Sequence, residues 1–249
     1  EKRWETQVLR TAPRQSISRS ESMAAMSIRH GCWTAISRKR PLHFALFPSP
    51  AIDAGRPILS IVKRGILGGT FDPPHIAHLI AGEASYRQLG LDLVSFVPAG
   101  DPWQKSDSSV SAAEHRWQMT LLSVDPIPYF VADDLEIRRE GPTYTVETVE
   151  AFPDDELVLI LGADAALGIR SWHRWQELLE IVDLAVAPRP GVGRHEVEHA
   201  VPKPIEWLDM APIDVSATDV RERARKGLSI RFYVRESVWH YVQEHRVYG

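Results

Sequence analysis

The stretch that decides the fold runs from Lys63 to His78 and reads KRGILGGTFDPPHIAH. Its first residues, Lys63 to Leu67, have the short apolar character of a buried β-strand. A pair of glycines and then two prolines follow, and a proline in the first turn of a helix sacrifices no hydrogen bond. We therefore predict a strand, a glycine-containing turn and a helix that extends from His75 to Leu89.

The turn in this stretch has the properties of an anion site. Gly68 and Gly69 let backbone N–H groups come close to a ligand, and the N-terminus of the following helix adds a partial positive charge. His75 and His78 are three residues apart, so both imidazoles lie on one side of the first helical turn and can donate to phosphate oxygens together. A zinc site and a simple helix cap are the alternative interpretations of the two histidines.

Downstream of this stretch, short apolar runs alternate with amphipathic stretches. This pattern is typical of an α/β fold in which a Rossmann-like parallel sheet carries helices on both faces. Further strands are predicted at Leu93–Pro98, Glu156–Gly162 and Leu184–Pro188, with a weaker one at Ile205–Leu208. Further helices are predicted at Ala113–Val124, Thr145–Phe152 and Trp175–Ile181, and two more between Ser216 and His245, the first ending at Gly227. Ligands of such sheets bind outside the carboxyl ends of the strands.

Upstream of Val62 the composition changes. Residues 1–61 are rich in arginine, lysine and serine and poor in acidic residues. We expect a disordered or non-native extension before a folded domain at residues 62–249. The extension is either an organellar transit peptide or the translation of a reading frame upstream of its true start at Val62. N-terminal sequencing of protein made from the native gene separates the two, because residues before Val62 would exclude the second.

Composition limits the classes of function. The chain has 249 residues, a formal net charge of -4 and one cysteine, Cys32. The charge gives no general attraction to nucleic acid or to an anionic membrane, and no apolar run approaches the roughly 20 residues that span a bilayer. We therefore expect a soluble protein of a reducing compartment, the cytoplasm, with no nucleic-acid or membrane partner. Nothing in the sequence sets the oligomeric state.

A second group of polar residues begins near the end of the chain, where Val215 to Arg221 reads VSATDVR. The hydroxyls of Ser216 and Thr218 precede a helix whose N-terminus can receive an anion, and Arg221 follows one turn later. Helix capping alone is the alternative interpretation of the two hydroxyls. Lys105 lies in the loop after the second predicted strand, and by itself it is equally compatible with a solvated loop lysine.

Both groups resemble signatures of the nucleotidylyltransferase superfamily. The stretch from Gly68 to His78 resembles G-G-x-F-D-P-x-H-x-G-H, and VSATDVR resembles I-S-S-T-x-I-R. The resemblance implies catalytic roles at the phosphates for His75, His78, Lys105 and Arg221, and ATP binding by Gly68, Gly69, Thr70, Phe71, Ser216 and Thr218. Ala77 replaces a glycine of the first signature and Ala217 a hydroxyl residue of the second, which implies weaker contacts with ATP.

Two further segments resemble one branch of the superfamily, the nicotinate mononucleotide adenylyltransferases. Residues 141–148, GPTYTVET, resemble P-[ST]-Y-T-x-[DE]-T, and this implies that Thr143 and Tyr144 contact the pyridine nucleotide. Residues 162–164, GAD, followed by residues 171–175, SWHRW, resemble G-x-D and W-x-x-W. The second resemblance implies ATP binding by Gly162 and Asp164 and stacking of Trp172 on the pyridine ring. Arg189, after another predicted strand end, matches a position near the adenine in the family, which implies ATP binding. Core packing of Trp172 and a surface position of Arg189 are the alternatives.

The resemblance thus implies a nicotinate-nucleotide adenylyltransferase of NAD biosynthesis. Such an enzyme joins ATP to nicotinate mononucleotide, with Mg²⁺ bound mainly through the ATP phosphates and with no dedicated metal site in the protein. Nicotinamide mononucleotide or another phosphorylated acceptor is the alternative substrate. A nucleotide-binding module without catalysis is an alternative of a different class, motivated by Ala77 and Ala217.

Overall fold

The computed structural model describes residues 61–101, 110–125 and 127–249. The predicted extension up to Ser60, together with Lys105, lies outside these described residues. Within them, six parallel strands form one sheet in the order β3-β2-β1-β4-β5-β6. The strands are β1 (Lys63–Gly69), β2 (Leu93–Pro98), β3 (Phe130–Ala132), β4 (Glu156–Gly162), β5 (Asp183–Ala187) and β6 (Glu206–Trp207).

The helices connect these strands and follow the last one. They are α1 (Ile76–Leu89), α2 (Ala113–Val124), α3 (Leu135–Arg138), α4 (Thr145–Val149), α5 (Ala163–Leu167), α6 (Trp175–Ile181), α7 (Arg194–Ala200), α8 (Ala217–Arg225) and α9 (Glu236–His245), with a 3-10 turn at Ile169–Ser171. No helix among the described residues is long and apolar enough to cross a membrane.

Alternate residues of each central strand enter two different cores. In β4, Leu157, Leu159 and Leu161 pack in one core, while Val158 and Ile160 pack in the other. Successive strand side chains point to opposite faces, so each face of the sheet carries its own apolar layer. This arrangement confirms the predicted parallel sheet with helices on both faces. A third core lies between α2, α8 and α9.

The strand order reverses next to β1. β1 pairs with β2 on one side and with β4 on the other, and every pair is parallel. The connections from β1 to β2 and from β3 to β4 therefore leave in opposite directions and open a crevice at the carboxyl ends of β1 and β4. The two segments with the most specific sequence patterns, the glycine pair of β1 and the GAD run after β4, lie at that crevice.

Several predicted boundaries differ from the structure. β2, β4, α2 and α6 begin and end as predicted, whereas β1 continues to Gly69 and α4 ends at Val149 instead of Phe152. β5 spans Asp183–Ala187, one residue earlier than predicted, because Pro188 has no N–H for the ladder. Gly227, two residues after the end of α8, has φ 68°, as expected for a left-handed helix terminus.

Four short elements were not predicted. They are β3, α3, α5 and α7, of three to seven residues. Apolar periodicity needs a longer window than these elements offer, so the sequence pattern does not distinguish them from loops.

Candidate active site

A cleft of about 500 Å³ opens at the carboxyl ends of β1, β4 and β5. Its volume is in the range of small-molecule sites. Eleven of the predicted site residues line it: Gly68, Gly69, Thr70, His75, His78, Thr143, Tyr144, Gly162, Asp164, Trp172 and Arg189. The fold therefore brings together residues that are more than 100 positions apart in the sequence.

His75 and His78 form a stacked pair at the start of α1. Their ring centroids are 3.7 Å apart and their planes differ by 24°. The backbone N–H of His75, the N-cap residue, donates to Nδ1 of His78 at 3.1 Å. Because Nδ1 of His78 accepts this bond, we assign the proton of the neutral ring to Nε2, where it can donate to a ligand.

The electrostatic state of His75 is set by its burial. The side chain is 3% exposed, and Nδ1 is buried without a hydrogen-bond partner among the described residues. Desolvation, the largest cause, and the positive charge of Arg189 together lower the pKa of His75 to about 4, while Asp219 opposes the shift. His75 is therefore neutral at pH 7. Its buried, unpaired nitrogen is a polar atom that a ligand could satisfy.

Phe71 departs from the predicted set. Its side chain is 2% exposed and packs in the core beneath the loop, with its ring 5.0 Å from the ring of His78 in an edge contact. It is not among the described residues that line the cleft. The backbone of Phe71 has φ 50°, and its ring is turned into the core, where it contacts His78. ATP binding by Phe71 stays a prediction, and the cleft lining does not support it for the side chain.

Arg116 supports the same loop, and sequence reasoning missed it. Its side chain is 2% exposed, and its guanidinium donates to the carbonyls of Thr70 at 3.1 Å, Gly100 at 2.7 Å, Ala99 and Ser111. Burial lowers its pKa, but an arginine retains its charge. A signal for this role exists in α2, where Arg116 lies on one helix face with the buried Met119, Thr120 and Ser123.

The second signature forms the start of α8. The Ser216 hydroxyl accepts from the Asp219 backbone N–H at 3.1 Å and so caps α8. Arg221 donates from Nη1 to the Asp72 carbonyl at 2.8 Å and from Nη2 to the Thr218 hydroxyl at 3.2 Å. Among the described residues, these three predicted site residues are not part of the cleft lining. Their roles at the phosphates stay predictions, and the structure gives them supporting contacts.

The opposite end of the cleft is aromatic. Trp172 is half-buried, lines the cleft and also packs against the first core. Its core packing is observed, and its stacking on the pyridine ring stays a prediction. The rings of Tyr144 and His173 are 4.3 Å apart, and Thr143 beside them is buried. His173 was not predicted, although it lies within the quoted SWHRW run. A second unpredicted residue, Glu136, also lines the cleft and accepts a hydrogen bond from the Thr148 hydroxyl at 2.6 Å.

Arg189 joins the two sides of the cleft. It lies 3.6 Å from the Asp164 carboxylate and donates to the carbonyls of Ile213 at 3.3 Å and Val215 at 3.1 Å. Its side chain is 26% exposed, so it forms part of the cleft wall. No group of three or more His, Cys, Asp or Glu side chains that could hold a metal ion occurs in the described part of the chain.

Comparison with known proteins places this site in a family. Residues 66–223 match the model of the cytidylyltransferase-like family. The chain is 37% identical to a protein of Dehalococcoides mccartyi named "Probable nicotinate-nucleotide adenylyltransferase", over 75% of this chain and 97% of that protein. It is 38% identical to proteins of the same name from Oceanobacillus iheyensis, over 74% and 96% of the two chains, and from Saccharopolyspora erythraea, over 75% and 89%.

Solved structures agree on the fold. A Plasmodium falciparum nicotinic acid mononucleotide adenylyltransferase complexed with NaAD superposes with a TM-score of 0.63 at 20% identity, covering 75% of this chain and 97% of that one. The same protein complexed with APC gives 0.61 at 19% identity, with the same coverage. At these identities the likeness concerns the fold alone. The sequence relatives, at 37% and 38% identity, are more similar to this chain than the solved structures are. Together with the family match, they show that the chain belongs to the cytidylyltransferase-like family and, within it, to the nicotinate-nucleotide adenylyltransferases.

Proposed function

We propose that this chain transfers the adenylyl group of ATP to nicotinate mononucleotide, giving nicotinate adenine dinucleotide and pyrophosphate in NAD biosynthesis. One observation carries the proposal. A single cleft joins a glycine and histidine loop, suited to phosphates, to an aromatic end suited to a pyridine ring. The membership of the family supports the same activity.

The phosphates of ATP bind at the loop after β1. Gly68 leaves open space, because a Cβ added there would have no neighbour within 4 Å. Phosphate oxygens can therefore approach the backbone at the helix N-terminus. The Nε2–H of His78 and the buried ring of His75 donate to the oxygens on which negative charge develops during transfer. The neutral ring of His75 still carries one N–H, which it can donate to such an oxygen.

The acceptor binds at the aromatic end. Trp172 offers a face for stacking on the pyridine ring, and the paired rings of Tyr144 and His173 form the neighbouring wall. Thr143, buried beside Tyr144, contributes a hydroxyl and its backbone to the polar contacts. Arg189 and Asp164, which lie 3.6 Å apart in the cleft lining, bind on the ATP side in this proposal.

The reaction needs no general base. The phosphate of the mononucleotide is ionised at neutral pH, so one of its oxygens attacks the α-phosphorus of ATP directly. A new phosphorus–oxygen bond forms while the bond from the α-phosphorus to the bridging oxygen breaks, and that electron pair leaves with pyrophosphate. Catalysis consists of positioning and charge stabilisation, as in other phosphoryl transfers.

Mg²⁺ belongs to the substrate in this scheme. The described residues offer no carboxylate cage, and Mg²⁺ commonly remains bound to phosphates and water. The ion then arrives with ATP and neutralises charge on the phosphates. Lys105 and Arg221 are proposed to act on the pyrophosphate, by resemblance, and a cytoplasmic location stays a prediction.

Pyrophosphate release by the purified protein tests the proposal. ATP and Mg²⁺ are supplied with nicotinate mononucleotide or, in parallel, with nicotinamide mononucleotide, and Trp172→Ala serves as the variant of the acceptor end. We expect release chiefly with the nicotinate acceptor, and a higher KM for that acceptor in Trp172→Ala with the KM for ATP little changed. Equal or reversed preference would reassign the acceptor, and no release with either would refute the proposed reaction.

A further inference from the structure

Asp72 lies at the centre of a buried set of contacts that does not touch the cleft. Its side chain is 1% exposed, and its two carboxylate oxygens have different partners. Oδ1 accepts a hydrogen bond from the Tyr248 hydroxyl at 2.9 Å, and Oδ2 accepts one from the Ser111 backbone N–H at 3.0 Å. Arg221 binds the carbonyl of the same residue. Asp72 therefore connects the loop after β1 to three separate parts of the chain.

Tyr248 reaches Asp72 from the segment that follows α9. It is 7% exposed and packs in the third core, where its hydroxyl also lies 3.7 Å from Sδ of Met119. Burial, followed by the negative charge of Asp72, raises the pKa of the Tyr248 hydroxyl. The hydroxyl thus keeps its proton and remains a donor at neutral and mildly alkaline pH. A hydrogen bond to a buried carboxylate is among the stronger ones in proteins.

A displacement of Asp72 would also displace His75 and His78. Only Pro73 and Pro74 separate it from His75, and a proline ring fixes the backbone angle φ. The chain between Asp72 and His75 consequently has few soft torsions. Ile76, the residue after His75, is also hydrogen-bonded to the C-terminal region. Its backbone N–H donates to the Tyr233 carbonyl at 2.8 Å.

We propose that Tyr248 is a positioning residue for adenylyl transfer, holding Asp72 so that His75 and His78 stand where they meet the phosphates. The inference rests on the proposed function, since it concerns the reaction at this loop. A misplacement of about 1 Å can lower a rate on the order of 100-fold. The hydrogen bond from Tyr248 is one of several contacts to Asp72, so its loss would loosen the loop only in part. We expect this loss to lower kcat by about tenfold.

Tyr248→Phe tests the proposal because it keeps the ring and removes only the donor. With ATP and nicotinate mononucleotide, we expect the lower kcat with both KM values changed by less than about twofold, since the lost contact acts in the transition state. Tyr241→Phe is the matched control: its hydroxyl, on α9, lies 2.8 Å from Nδ1 of His115. This control should keep kcat, and each variant is compared per folded molecule, as judged by circular dichroism.

A second measurement does not depend on turnover. The pKa of His75 is followed by NMR of its ring protons in the wild type and in both variants. If the loop loosens in Tyr248→Phe, water reaches the ring and the pKa rises from about 4 toward its ordinary 6.5, whereas Tyr241→Phe leaves it low. A wild type that releases no pyrophosphate would refute the proposed function while this titration still tests the positioning.

Two outcomes overturn the proposal. One is an unchanged kcat and an unchanged His75 pKa in Tyr248→Phe. The other is an equal fall in kcat in Tyr241→Phe, which would indicate general loosening of the C-terminal helix. Should Tyr248→Phe fail to fold, Asp72→Asn weakens the same hydrogen bond by removing the acceptor charge, and it must give the same fall in kcat and the same rise in the pKa of His75.

Discussion

The loop after β1 and the start of α8 both match family signatures, yet the fold uses them differently. In the loop, glycine backbone and the two histidines line the cleft. At α8, Ser216 caps the helix and Arg221 binds the back of the loop through the Asp72 carbonyl. From these contacts we expect the signature residues to fall into two groups, those that face the ligand and those that hold the first group in place, while a role of Arg221 at the pyrophosphate stays a prediction. Substitutions in the two groups should therefore differ in their effects on activity and on stability.

The largest expected effect concerns His75 and its pH-dependent stability. Its folded pKa, about 4, is below the unfolded value of 6.5, so between these pH values the unfolded chain binds more protons. The contribution to stability is complete above pH 6.5 and falls as the pH drops toward 4, by about 3 kcal/mol in total. Urea unfolding at pH 7.5 and 4.5 measures how much the free energy of unfolding falls between the two pH values. This fall should be smaller for His75→Gln than for the wild type, and an equal fall in both would mean that His75 is not buried and neutral.

His78 should show a large effect on activity with a small effect on folding. His78→Ala removes a donor aimed at the phosphates, and loss of such a donor typically lowers kcat on the order of 100-fold. His115→Ala, which changes a half-buried histidine outside the cleft, is the control and should leave kcat unchanged. Steady-state rates and thermal unfolding are measured together. Normal turnover in His78→Ala would contradict the assignment.

Gly68 tests where the phosphates of ATP lie along the loop. A Cβ there meets nothing within 4 Å, so Gly68→Ala should fold as the wild type does while its methyl occupies space used by ATP. One added carbon in a fitted site costs about tenfold or more, and we expect a rise of that order in the KM for ATP. Gly193→Ala is the control, because Gly193 also has open space around its Cβ but lies at the start of α7. An unchanged KM in Gly68→Ala would place the phosphates elsewhere.

Ser216 should show the smallest effect, and only on stability. Ser216→Ala removes the cap of α8, which should lower the free energy of unfolding by about 1 kcal/mol. Ser216→Asp restores an acceptor for the Asp219 N–H and should recover part of that loss. Because the hydroxyl lies outside the cleft lining, kcat should change by less than about twofold in Ser216→Ala. A fall of tenfold would move Ser216 from the supporting group to the ligand-facing group.

Much of the architecture could be read from the sequence. The strands of the sheet centre are apolar runs bounded by glycine or proline, and such local patterns survive folding because both faces of a parallel strand are buried. The short elements β3, α3, α5 and α7 could not be predicted in this way. Contacts with the longer elements stabilise them, and they have no periodic sequence pattern of their own.

By itself, the sequence determined which chemistry the cleft can perform. The glycine pair and the two histidines at helical spacing follow β1 directly, at the edge where a parallel sheet gathers its ligand-binding residues, and the Tyr144 and Trp172 segments also line the cleft. Only the tertiary structure decided how these residues are supported. It turned Phe71 into the core, buried Arg116 and Tyr248 against the loop, and gave His75 its low pKa. Burial and hydrogen bonding across distant segments are three-dimensional properties, and a local pattern indicates at most which helix face is buried, as it does for Arg116.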